Sequence, residues 1–184
     1  MTALLLIDIQ SGLQETAYYG IERSNPQAEK NCQKILEAFR NKDLPVFHVM
    51  HNSTNPASPL YPGKNGNAIH PLVQPVNGEP VFQKTVNSAF IGTDLEIAMI
   101  AKNITDLVII GLTLEHCIST SVRMAANLGF QVTLISDATA AFDKIGVDGK
   151  RYAAELIHQT ELANLKDEFA FIQNTSNFLT KLDN

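Results

Sequence analysis

Six short runs rich in apolar and β-branched residues, each too brief for a buried helix, recur along the chain with helix-patterned segments between them. They are "TALLLIDI" (2–9), "LPVFHVMH" (44–51), "PVFQK" (80–84), "DLVIIG" (106–111), "FQVTLIS" (130–136) and "EFAFIQ" (168–173). Between the first two, "NPQAEKNCQKILEAFRNK" offers Asn25 as a cap, Pro26 at the first helical position, and Ala28, Cys32, Ile35, Leu36 and Phe39 on one face. "FIGTDLEIAMIAKN" predicts a helix opened by Thr93, and "LEHCISTSVRMAANLG" one closed by Gly129. A last helix is predicted from about Asp148 to Leu165. Strands that alternate with helices at this spacing predict an α/β three-layer fold, a parallel sheet covered on both faces by right-handed crossovers.

The chain's 184 residues suit one such domain, expected to span residues 1–184. A net charge of −5 argues against nucleic acid as a partner, and the short apolar run at the amino terminus resembles neither a signal peptide nor a membrane span. A cytoplasmic protein with a small-molecule substrate, no nucleic-acid partner and no membrane is the expectation. Two cysteines without CxxC spacing argue against a disulfide framework or a cysteine zinc site.

In sheets of this type ligands gather at the carboxyl ends of strands. Three chemistry-bearing positions fall there: Asp8, Lys84, and the turn from Gly111 to Cys117. Residues 52–80, rich in Asn, Pro, Gly and Ser, form one long excursion of the kind that covers or lines a site.

Cys32 lies on the apolar face of a helix and reads as a packing residue. Cys117 falls where a strand meets a helix, and unpaired N–H groups there can stabilise a thiolate. Position alone leaves open whether it is a nucleophile or fills space. Lys84 is by itself an ordinary strand-end lysine, and Asp8 a carboxylate costly to bury without a cation. Together the three supply a nucleophile, a cation and a proton carrier for acyl transfer.

Across nearly the whole chain, "LLLIDIQ", "GEPVFQKTVNSAFIGTDLE", "LVIIGLTLEHCISTSVRMAANLGFQVTLISDATAAFD", "AELIH" and "LANLKDEFAFI" resemble, in order, the isochorismatase-like cysteine hydrolases. The resemblance implies a six-stranded parallel sheet of order 3-2-1-4-5-6 and a catalytic triad of Asp8, Lys84 and Cys117. It also implies a cis peptide at Leu112–Thr113, with the N–H groups of Thr113 and Cys117 forming an oxyanion hole. Leu13, Phe90 and Ile118 are implied as apolar pocket walls, all three of which could equally be core. A homodimer or higher homo-oligomer is implied too.

Within the family so resembled, isochorismatases proper cleave a vinyl ether and generally lack the nucleophilic cysteine, so Cys117 favours hydrolysis of a C–N bond. A vinyl-ether hydrolase and a non-catalytic, redox-sensing protein are the alternatives. Nicotinamidases add a metal site with an Asp-x-His pair. Here "VFHVMHNSTN" has no carboxylate, and His48 and His51 face opposite sides of a strand. No metal or other cofactor is therefore expected, and His51 and His70 are unassigned. His116 and Glu115 flank Cys117 but point elsewhere on a helix, Glu115 being accounted for by the helix dipole. Asp137 and Thr139 read as helix- or turn-capping residues, with support of the site as the alternative.

Overall fold

The structure, a computed structural model, describes residues 1–183. In chain order its elements are β1 (Thr2–Ile7), α1 (Thr16–Tyr19), α2 (Ala28–Asn41), β2 (Val46–His51), β3 (Val81–Lys84), α3 (Leu95–Ala101), β4 (Asp106–Leu112), α4 (Ser119–Asn127), β5 (Gln131–Ala140), β6 (Lys144–Ile145), β7 (Arg151–Tyr152), α5 (Ala154–Leu165), β8 (Phe171–Gln173) and α6 (Thr175–Asp183). Six strands form one sheet in the order β3-β2-β1-β4-β5-β8, and every neighbouring pair is parallel. Counting that sheet's strands alone, the order is the expected 3-2-1-4-5-6.

Alternation along β1 explains the two cores. Ala3, Leu5 and Ile7 face the layer that holds Leu95 and Met99 of α3, Val122 of α4 and Leu165 of α5. Leu4 and Leu6 face the layer of Cys32, Ile35, Leu36 and Phe39 from α2 and Phe178 from α6. A strand buried on both sides cannot alternate apolar with polar, which is why β1 reads as a continuous apolar run. Cys32 is fully buried, its Sγ donates to the Ala138 carbonyl at 3.2 Å, and burial pushes its pKa well up.

Several predicted boundaries move. Asn25 does not cap α2: it has φ 43° and its Nδ2 donates to the carbonyls of Ser136 and Thr139 at 3.0 and 2.8 Å. The helix opens at Ala28, after Gln27. Asp94 rather than Thr93 precedes α3, while the Thr93 hydroxyl donates back to the Ala89 carbonyl at 2.6 Å. The segment expected to begin a helix near Asp148 is instead an antiparallel hairpin, β6–β7, and α5 begins at Ala154. Asp148 accepts from the Lys150 N–H at 3.0 Å and Gly149 has φ 76°, so the Asp148–Gly149 pair closes a turn. The helix α6 had no counterpart in the sequence reading. Among the described residues no helix is long and apolar enough to cross a membrane.

One ion-pair cluster ties the excursion to the scaffold. Arg40 of α2 grips both oxygens of Glu79 at 2.8 and 2.7 Å, and His48 of β2 lies 2.8 Å from Glu79 Oε2. Burial opposes ionisation of Glu79, but the hydrogen bonds from Arg40 and His48 more than offset it, lowering its pKa to about 2. A depressed carboxylate stabilises the fold fully above its unfolded pKa and loses that contribution as pH falls through the folded one. Glu79→Gln should therefore flatten the loss of stability between about pH 4.5 and pH 2, read as denaturant midpoints against pH; an unchanged acid limb would refute the assignment.

Candidate active site

The ends of β1 and β4 meet closely. Ile7 is paired with Gly111, and Gly111 has φ 133°. A Cβ there would overlap the carbonyl oxygen of Ile7, so only glycine lets the two strand ends converge. Asp8 leaves β1 with φ 52°, a left-handed turn that aspartate tolerates better than most residues. Beyond β4 the Leu112–Thr113 peptide is cis, and Leu114–Ile118 form a single π-helical turn, with the Ile118 N–H donating to the Thr113 carbonyl at 3.2 Å. Cys117 thus sits in a π turn that opens α4 rather than in the regular first turn of an α-helix, and π turns are frequent at functional positions.

Lys84 completes the cluster from two strands away. Its side chain is fully buried and its Nζ lies 2.5 Å from Asp8 Oδ2, 3.3 Å from Cys117 Sγ and 3.3 Å from His51 Nδ1. His51 is the register partner of Lys84 across β2 and β3, which sets the two side chains on one face. Asp8, Lys84 and Cys117, 109 residues apart at the extremes, are brought together as one group. Burial raises the Cys117 pKa far above the ordinary thiol range, the Asp8 carboxylate raises it further, and the Lys84 ammonium works against both. The resting thiol is therefore protonated at neutral pH.

Asp8, His51 and Cys117 each aim one potential ligand atom within 4.8 Å of the others. All three of those residues also lie against the Lys84 ammonium, and burial together with that ammonium pulls the His51 pKa down. A metal ion at their centre would have to share the space with a buried cation, so this donor set does not fit one. His48 is committed to Glu79, and His70 accepts from the Leu72 N–H through Nδ1 at 3.3 Å and contacts Gln14 through Nε2 at 3.1 Å.

A cavity of about 280 Å³ adjoins the cluster, with Asp8, Thr113 and Cys117 in its wall. Leu13 lines it. Ile118 is wholly buried in the core and Phe90 stacks on Phe130 at 6.1 Å; neither lines the cavity. Asp137 accepts from the N–H and hydroxyl of Thr175, both at 2.7 Å, and Thr139 donates to the Ser136 carbonyl at 2.8 Å, so both hold backbone away from the site. His116 lines the cavity and has its pKa lowered by burial, while the thiol's neighbour is Lys84.

The aromatic wall went unread in the sequence. Tyr18 and Tyr19 line the cavity with Phe142, and Tyr19 stacks on Phe142 with centroids 5.3 Å apart. Burial pushes the Tyr19 hydroxyl up to about 12. The segment is clipped down by Asp143, whose Oδ1 accepts from the N–H groups of Ile21 and Glu22 at 2.6 and 2.9 Å and whose Oδ2 accepts from Arg151 at 2.6 Å. A Cβ on Gly20 would strike that same Oδ1. An adjacent Tyr-Tyr-Gly was the available signal, although its partner lies more than a hundred residues on.

Residues 2–177 match the isochorismatase domain. The chain is 44% identical to the isochorismatase family protein YrdC of Bacillus subtilis, over 96% of this chain and 94% of that protein. An isochorismatase-family structure from Chromobacterium violaceum superposes with a TM-score of 0.94 at 39% identity, covering 99% of this chain and 93% of the other. Nicotinamidase 3 of Arabidopsis thaliana is 26% identical over 94% of this chain and 84% of its own. The chain belongs to the isochorismatase family, which contains hydrolases, among them amidases that act on C–N bonds.

Proposed function

We propose that this protein hydrolyses a C–N bond, amide or ureido, in a small molecule through Asp8, Lys84 and Cys117. The observation that carries the reading is the position of the Lys84 ammonium, which contacts both the Asp8 carboxylate and the Cys117 sulfur at the edge of a cavity. Lys84 occupies Oδ2 of Asp8, and Oδ1 is buried with no hydrogen-bond partner among the described residues. That free oxygen is the acceptor for the thiol proton. As the proton passes to Asp8, the thiolate attacks the carbonyl carbon, and the Lys84 charge holds the sulfur's developing negative charge.

The tetrahedral oxyanion is received by the N–H groups of Thr113 and Cys117, each donor contributing about 3 kcal/mol to the transition state. Collapse breaks the C–N bond, Asp8 returns its proton to the departing nitrogen, and an acyl thioester remains on Cys117. Asp8, again a carboxylate, takes a proton from water as the hydroxyl attacks the thioester. The acid leaves and the thiol recovers that proton, so the cycle consumes one water and yields an acid with ammonia or an amine. Kinship with a nicotinamidase supports the choice of bond.

Intact-mass spectrometry after incubation with small amides and ureido compounds tests the reading. A Cys117-dependent acyl adduct is expected. Rapid alkylation of Cys117 without any adduct or turnover would overturn it in favour of a redox role.

A further inference from the structure

Five buried side-chain polar atoms among the described residues lack a well-formed hydrogen bond, and three of them belong to residues that line this cavity: Asp8 Oδ1, Glu115 Oε2, and Tyr19 Oη, which has the Ser58 hydroxyl near it. Buried polar groups are nearly always satisfied, so such a concentration marks where a ligand completes the bonding. The mechanism uses Asp8. Glu115 is left over, and its side chain is 8% exposed.

The two oxygens of Glu115 have different surroundings. Oε1 accepts from the Phe142 N–H at 3.1 Å and from Lys144 Nζ at 3.1 Å. Oε2 is the bare one. A carboxylate can only accept, and leaving it unsatisfied in a buried place is costly. Phe142 also connects this carboxylate to the third of these atoms, because its ring stacks on Tyr19.

We propose that Glu115 Oε2 binds an N–H donor, best an ammonium, on the part of the substrate remote from the scissile carbonyl. The substrate class is then a short amide or ureido compound with an amino group at its far end, seated beside Lys144, which shares this wall. The choice of an amide skeleton rests on the amidohydrolase reading above. The recognition by Glu115 does not.

Glu115→Gln gives a specific expectation. Both partners of Oε1 are donors, so the glutamine oxygen must take that position and its NH₂ must face the cavity in place of Oε2. The wall then offers a donor where it offered an acceptor. Calorimetric binding to the Cys117→Ala protein separates recognition from turnover. The ligands are linear primary amides of equal chain length ending in an ammonium, a methyl or a carboxylate: γ-aminobutyramide, valeramide and glutaramate.

The ammonium ligand is expected to bind roughly ten- to a hundredfold more tightly than the methyl one. Adding Glu115→Gln should erase the ammonium preference and raise the carboxylate ligand above the methyl one. Equal binding of the three, no binding of the ammonium ligand, or a uniform loss of affinity on Glu115→Gln would overturn the proposal, the last because it marks a purely structural side chain. Selective binding without hydrolysis by the unaltered enzyme would instead refute the amidohydrolase reading while leaving the Glu115 site standing.

Discussion

Cys117→Ala is expected to lower amide hydrolysis by about 10⁴-fold or more, to the level that positioning and backbone donors alone sustain. In the proposed mechanism the sulfur is the atom that becomes acylated, a covalent route needs a nucleophile at the carbonyl, and the ring nitrogen that His51 turns toward the cluster is engaged with the Lys84 ammonium at 3.3 Å. Folding should hardly change, since a half-buried thiol contributes on the order of 1 kcal/mol. Kinetics with the variant, paired with a thermal melt, decide the point. Unaltered hydrolysis in a well-folded variant would sink the covalent mechanism, and hydrolysis of a vinyl ether instead would move the protein to the other branch of its family.

Lys84→Met should harm both stability and activity. Asp8 is 1% exposed and its Oδ2 depends on the ammonium. Removing one partner of a buried pair strands the other charge, at a cost of about 3–5 kcal/mol. A lone buried carboxylate favours its neutral form, and in that form Asp8 could no longer accept a proton from the thiol. The double variant Asp8→Asn, Lys84→Met separates the two effects. Its denaturant midpoint should recover much of the loss, since no charge is left uncompensated, while hydrolysis stays abolished. A single Lys84→Met variant as stable as the parent would show that the pair does not hold the strand ends together.

Much of this arrangement could be read from residue order. The six apolar runs are the sheet's six strands, the inner ones because a parallel strand buried on both faces is apolar throughout, while the edge strands β3 and β8 are partly exposed. The strand ends carried Asp8 and Lys84, and the strand-to-helix turn carried Cys117, because topology converts those positions into neighbours. Other parts depend on partners that no local pattern names. Asn25 looked like a cap, but its amide is drawn to carbonyls of β5. The β6–β7 hairpin was hidden because "AAELIH" directly after it is helical, although Asp148–Gly149 was a legible turn signal. Ile118 was implied as a wall only by resemblance, with core the open alternative, and it lies in the core. Glu115 was set aside on a helix-dipole argument. What distinguishes it is the bonding of one oxygen and not the other, which depends on Phe142 and Lys144.

Asp8, Lys84 and Cys117 stand at or just past the ends of β1, β3 and β4, whereas Tyr19, Leu60 and Phe142 reach the cavity from the connections between sheet strands. In the proposed mechanism the bond-breaking groups thus come from the strand ends and most of the cavity wall from the connections, with Glu115, in the same turn as Cys117, the exception. Mutational drift in the connections can exchange one acyl group for another while the strand ends stay fixed. For a protein engineer, the residues to randomise are Glu115 and those of 13–22, 52–60 and 142–145, and the sheet can be left alone.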